Sequence, residues 1–172
     1  MLEKVNAKAA IWAGIVAGVV FMMLEMLLVW QVQGDSPWAP PRMIAAMAMG
    51  ESVLPPPGSF DALIMAVAMA IHMLLSVILG FILGWAISNW KMGLVTTILV
   101  GTIFGLIIYF VNFYLFTAIF PWFAMARGAV AIFAHAVFGL VLGWTYRAIA
   151  DRPPHMDEAV RDQYSATGST RN

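Results

Sequence analysis

The sequence predicts an all-α integral membrane protein, a four-helix bundle made of two tandem-duplicated transmembrane hairpins. Three observations lead there. Of 172 residues, 62% are hydrophobic and 10% charged, against roughly 45–50% and about 25% in soluble domains. Too little polar surface exists to cover a water-soluble globule. Four apolar stretches are long enough to cross about 30 Å of hydrocarbon, which takes roughly 20 helical residues. An ordered set of features in the first half of the chain recurs in the second. Nine basic and nine acidic residues cancel, so there is no electrostatic footprint for nucleic acid. The absence of cysteine excludes a disulfide-stapled module and any thiolate site.

The spans fall near Ala9–Trp30, Asp61–Ile87, Leu94–Ala118 and Gly128–Ala150. Backbone amides in lipid must be satisfied within the span, which favours helices. Barrel strands would alternate over about ten residues, and these runs do not. Lys4 and Lys8 before the first span give it a signal-peptide look, but its apolar run is longer than a typical h-region and contains Glu25. It is read as retained. The first loop, Gln31–Phe60, carries Pro37, Pro40, Pro41 and Pro55–Pro57. Between them Arg42–Gly50 reads as a short helix on the outer interface. One domain over 1–150 is expected, with repeat A at about 9–87 and repeat B at about 94–150. The tail 151–172 is polar and is expected to be a mobile cytoplasmic segment.

Basic residues set the orientation. Lys4, Lys8, Lys91, Arg147 and Arg152 flank one side, and Arg42 and Arg127 the other. Five against two puts both termini in the cytoplasm. Trp12, Trp85, Trp90 and Trp144 then fall near the inner interface, and Trp30, Trp38 and Trp122 near the outer one.

The repeat is read from six shared features. Gly14-x-x-x-Gly18 answers Gly101-x-x-x-Gly105. Seven residues later stand Glu25 and Asn112. Pro37-Trp38 and Pro121-Trp122 follow, then Arg42 and Arg127, then His72 and His135. Both second helices end in Gly-x-x-x-Gly-Trp, at Gly80–Trp85 and Gly139–Trp144. Against that ending the histidines are out of step by four residues, about one turn. Both copies contain an even number of crossings, so they share one membrane orientation. The glycines let helix backbones approach where lipid supplies no hydrophobic drive.

Glu25 is the one formally charged side chain away from the span ends. A central acid costs about 2.5–3.5 kcal/mol on insertion scales, so it should face the bundle interior with a partner. Glu25 lies 13 residues beyond Trp12 and His72 lies 13 before Trp85. At 1.5 Å per residue both stand roughly 20 Å above the inner interface and are expected to meet, with His135 about a turn lower. The expected binding cluster is Glu25, His72, Asn112 and His135, extended by Tyr109 and Ser76, with Arg42 and Arg127 at the outer mouth.

Three readings of the cluster stay open. In the first, buried polar groups simply bond one another and fix helix register. In the second, the cluster binds or conducts a proton, ion or small polar solute, since intramembrane ionisable residues are functional by default. In the third, it holds haem or copper, with His72 and His135 as an axial pair and Met22, Met26, Met65, Met69 and Met73 as soft donors. No phosphate loop, nucleophile elbow or zincin motif is present. Ser76, His72 and Glu25 supply the residue types of a nucleophilic triad, but Ser76 sits one turn from His72 on a membrane helix, where a packing role is usual. The chain is therefore not read as an enzyme.

Ala10–Glu25, Ser36–Arg42, Val111–Tyr114, Phe120–Phe123 and Phe133–His135 resemble a family of small uncharacterised bacterial inner-membrane proteins. Some members carry the label sodium:proline symporter-like. The resemblance covers most of residues 5–150. It implies a bacterial inner-membrane location and supplies no activity. The symporter family has many more spans, built as inverted repeats with broken helices, where this chain has four in a direct repeat. Four helices leave little room for a solute path, so transport would need a homo-oligomer or a larger membrane complex. An accessory or assembly subunit without chemistry of its own is the alternative. The expected partners are thus the lipid bilayer and either further copies or a larger complex.

Overall fold

The computed structural model describes residues 5–56, 58–90 and 92–151. Among these there is no strand. The elements are α1 (Ala7–Leu28), α2 (Ala39–Met49), α3 (Ala62–Trp90), α4 (Leu94–Phe110) and α5 (Ala129–Ala150), with shorter π and 3₁₀ turns between them. Four continuous helical stretches, Ala7–Gln33, Ala62–Trp90, Leu94–Ala118 and Ala129–Ala150, are long and apolar enough to cross a membrane. Even the shortest, with 22 residues, spans about 33 Å at the usual helical rise. This is the architecture of a multi-pass membrane protein. Lys4, Lys91, Arg152 and the tail, Asp151 apart, lie outside the described residues.

The packing is inverted relative to a soluble bundle. On α1 the buried positions are Ala9, Ala10, Ala13, Gly14, Ala17 and Gly18, with Met22 and Glu25 above them. Ile11, Trp12, Val19, Met23 and Leu27 face outward. Small residues inside and large apolar ones outside are what close helix packing in lipid demands. The core is continuous at the end of the bundle that carries the N-terminus, here the terminal end. Ala9, Ala10, Ala13, Ala17, Leu83, Ile87, Phe138, Leu142 and Tyr146 form it. Tyr146 knots this end together. Its hydroxyl accepts from the Asn6 amide at 3.3 Å and hydrogen-bonds Ser88 at 2.9 Å. Its ring fills the space that only a glycine at position 84 leaves, since a Cβ there would meet it at 2.5 Å.

In space the helices run α3, α1, α5, α4, and α3 scarcely touches α4. Two glycine-paired crossings build the hairpins. A Cβ on Gly14 would strike the Ser76 carbonyl and Val77 Cα, at 2.7 and 2.6 Å, and one on Gly18 would meet Ser76 Oγ at 2.8 Å. A Cβ on Gly101 would strike the Gly139 carbonyl oxygen, and one on Gly105 the His135 carbonyl oxygen. Gly80 lies against Ala10 and Gly14, and Gly143 against Thr97 and Gly101. These contacts set a register that differs from the one read off the Gly-x-x-x-Gly-Trp endings. His72 stands where His135 stands and Ser76 where Gly139 stands. The histidines are in step, and the glycine endings are the part displaced by a turn.

Both hairpins depart from α-helical geometry at the other, loop end. α1 passes into a π-helical turn, Val29–Gln33, closed by Gly34 at φ +75°, a left-handed conformation that glycine adopts without penalty. α4 passes into the π-helical turn Val111–Leu115, which contains Asn112. The short helix expected at Arg42–Gly50 forms as α2, begun earlier by Pro40 and Pro41 in its first turn. It is packed rather than laid on the surface. Ala45 meets Ile64 and Ala68 of α3 in a small core, and Arg42 and Met43 are buried.

Candidate functional site

Below α2 lies a cavity of about 310 Å³, lined by parts of all four spans. Phe21 and Glu25 of α1 and Val29, the first residue of the π-helical turn, face it at i, i+4 spacing, the spacing that stacks side chains on one helix face. From α3 come His72, Leu75, Ser76, Ile78 and Leu79. The α4 side gives Ile108, Val111, Asn112, Phe113 and Phe116, and α5 gives His135 and Phe138. Ala39, Pro40, Met43, Ile44 and Met47 of α2 form the roof, with Gln33 and Asp35 at its edge. Trp122 donates its indole N–H to the Met43 carbonyl at 2.9 Å, so the second hairpin's loop holds the roof in place.

The cluster expected from sequence is brought together with one internal difference. His135 donates from Nδ1 to the Ala131 carbonyl at 2.8 Å. In the neutral ring Nε2 is then an acceptor, and Asn112 Nδ2 lies 3.2 Å from it. His72 uses Nε2 on the Gly18 carbonyl at 2.9 Å. Its bond partner is thus seven residues before Glu25, about 10 Å along α1. The expected Glu25–His72 hydrogen bond or ion pair is not made. Glu25 is 6% exposed, and its Oε2 has no hydrogen-bond partner among the described residues. The tryptophan rulers mislead because they assume helices of equal height. The close glycine crossing fixes His72 against Gly18 instead.

Phe21 organises the histidines. Its ring stacks on His72 at 5.4 Å and meets His135 edge-on at 4.8 Å, both within the range of favourable aromatic pairs. One phenyl ring thus touches both imidazoles. Sequence reasoning missed Phe21, although its i−4 spacing to Glu25 was a usable signal. It also missed Asp35, a loop acid whose position only the loop fold reveals.

The other named residues have different places. Ser76 lines the cavity and is also the contact of Gly18. Tyr109 is buried at 2% exposure, packs on the His135 ring at 5.7 Å and is not in the cavity lining. The arginines do not line the cavity either, which corrects their expected place at its mouth. Arg42 bonds the Ser59 and Val53 carbonyls, each at 3.0 Å. Arg127 bonds the Phe113 carbonyl at 2.7 Å and lies 4.3 Å over the Tyr114 ring. Both are spent on backbone carbonyls of the loops and the π-turn. As metal ligands the histidines are poorly disposed, because both His135 nitrogens and His72 Nε2 are already engaged. No group of three His, Asp or Glu side chains among the described residues is arranged to hold a metal ion.

The arrangement offers a largely apolar, partly enclosed chamber lined by an unpaired carboxyl, two imidazoles and an amide. No protein-family model, curated protein or solved structure matches this chain.

Proposed function

We propose that this chain is an intramembrane binding protein that holds the polar group of a small molecule against Glu25, beside His72, Asn112 and His135. The observation that carries this is Glu25 itself. A buried polar group without a partner costs about 1–3 kcal/mol, and native proteins rarely leave one unexplained. Here the unpartnered oxygen belongs to a side chain lining a cavity of about 310 Å³, within the roughly 300–1,000 Å³ usual for small-molecule sites. Binding is favoured over conduction because the terminal half of the bundle is filled by alanine, leucine and Tyr146. Native mass spectrometry of the protein released from detergent tests the reading. The wild type should carry a small-molecule adduct, and both Glu25→Gln and the cavity-filling Ile108→Trp should lose it. An adduct-free wild type, or adducts equal in all three, would sink it.

The finer architecture belongs to the same proposal. Descent of the two hairpins from one duplicated unit is supported by the shared contact register. Under it Asn112 with His135 is the counterpart of Glu25 with His72, closed by a hydrogen bond in one copy and open in the other. The distribution of basic residues supports both termini in the cytoplasm, and the sequence resemblance supports a bacterial inner membrane.

A further inference from the structure

The cavity is acidic and aromatic, and the nearby cations are turned away from it. Glu25 and Asp35 line it, and among the described residues no lysine or arginine does. The guanidinium groups of Arg42 and Arg127 are committed to backbone carbonyls, those of Ser59 and Val53 for Arg42 and that of Phe113 for Arg127. In the neutral ring His72, donating from Nε2 to Gly18, is left with Nδ1 as an acceptor. Such a wall suits a ligand that brings positive charge and is ill suited to a carboxylate or phosphate, which would be buried beside an acid without a counter-ion. The rest of the lining is apolar, with the phenyl rings of Phe21, Phe113, Phe116 and Phe123 around the chamber. Aromatic faces stabilise organic cations.

The cavity is only partly enclosed. Residues of α3 and α4 both line it, and these two helices scarcely touch. Leu75 and Ile78 of α3 line it while being 39% and 45% exposed. Both lie within a stretch long and apolar enough to cross the membrane. A ligand dissolved in the bilayer would meet this exposed lining without passing the α2 roof.

We propose that the site takes a membrane-dissolved organic cation, a lipophilic ammonium or phosphonium, entering between α3 and α4 and setting its charge against Glu25. This rests on the binding reading above and adds the charge of the ligand. The test uses the full chain in nanodiscs of zwitterionic lipid and three probes of similar shape: tetraphenylphosphonium, neutral triphenylphosphine oxide and anionic tetraphenylborate. Binding is measured by equilibrium dialysis and corrected with empty discs. The cation should bind about tenfold or more tighter than the oxide, a difference of the size expected for a desolvated charge on aromatic faces. The borate should show no saturable binding. Glu25→Gln, checked for folding by circular dichroism and gel filtration, should weaken the cation by about tenfold, and Asp35→Asn by about threefold. Equal affinity for cation and oxide, saturable borate binding, or a folded Glu25→Gln with wild-type affinity would overturn the proposal. If cation and oxide bind alike and Ile108→Trp abolishes both, the charge assignment falls and the cavity reading stands. If no probe binds above empty discs the cation proposal falls, and the cavity reading falls with it only where the adduct is also missing. Should Glu25→Gln fail to fold, the cation-to-oxide ratio of the wild type still decides.

Discussion

A carboxyl that is 6% exposed and bonded to nothing nearby should weaken the empty protein, and that separates a binding role from a structural one. Glu25→Met keeps the volume and removes the desolvation cost. It should raise the stability of the ligand-free protein by about 1 kcal/mol, read by reversible unfolding in mixed detergent. A loss of that size would mean the carboxyl is holding helices together. The Asn112–His135 pair behaves oppositely, because its partners are satisfied. Intramembrane hydrogen bonds average about 0.6 kcal/mol in double-mutant cycles. A cycle of Asn112→Ala with His135→Phe should return a coupling of about that size, and a coupling indistinguishable from zero would remove the bond. The importance of Glu25 was legible in the sequence from the cost of an acid in lipid. Its lack of a partner was not, because that depends on which carbonyl His72 reaches.

At the level of helices, the glycine crossings carry the hairpins, and their sensitivities should differ. At Gly105 an added Cβ would fall on the His135 carbonyl, a backbone atom that cannot step aside. At Gly18 it would meet the side chain of Ser76 and the end of Met73, at 2.8 and 3.3 Å. Overpacking costs about 1–3 kcal/mol. Gly105→Ala should sit at the upper end of that range and shift α4 off α5, while Gly18→Ala should cost less, measured by unfolding in the same detergent series. The reverse order would contradict the packing described. The pattern Gly-x-x-x-Gly announced these faces in the sequence. Which glycine meets which carbonyl was not legible, since helices offset by one turn satisfy the same pattern. That ambiguity is why the endings pointed to histidines out of step while the glycine contacts put them in step. The π-helical turn at Val111–Leu115 was likewise hidden. One extra residue per turn is a small energetic matter locally, and packing of the loop end decides it. Such turns often mark functional sites, and this one carries Asn112.

For the whole molecule the testable property is its orientation. The chain has no cysteine, so single introduced thiols report without background. Glu51→Cys, in the turn after α2, should react with a membrane-impermeant maleimide in intact spheroplasts. Asp151→Cys, at the end of α5, should react only after lysis. The opposite pattern would invert the topology inferred from the basic residues.

The amino-acid sequence by itself determined the solvent and the secondary structure. A chain with 62% hydrophobic and 10% charged residues cannot cover itself with polar groups. Its four long apolar runs must close their own hydrogen bonds as helices, which fixes the spans to within a few residues of where they lie. It also marked the buried acid, the two histidines and the small-residue faces, because each is costly or distinctive in lipid on its own. What only the tertiary structure decided is how those pieces meet. Helix height and rotation are set by many weak contacts between small residues rather than by any one signal along the chain. Those contacts pair His135 with Asn112, give His72 to Gly18, turn both arginines to the loops and leave Glu25 unpartnered beside an open chamber.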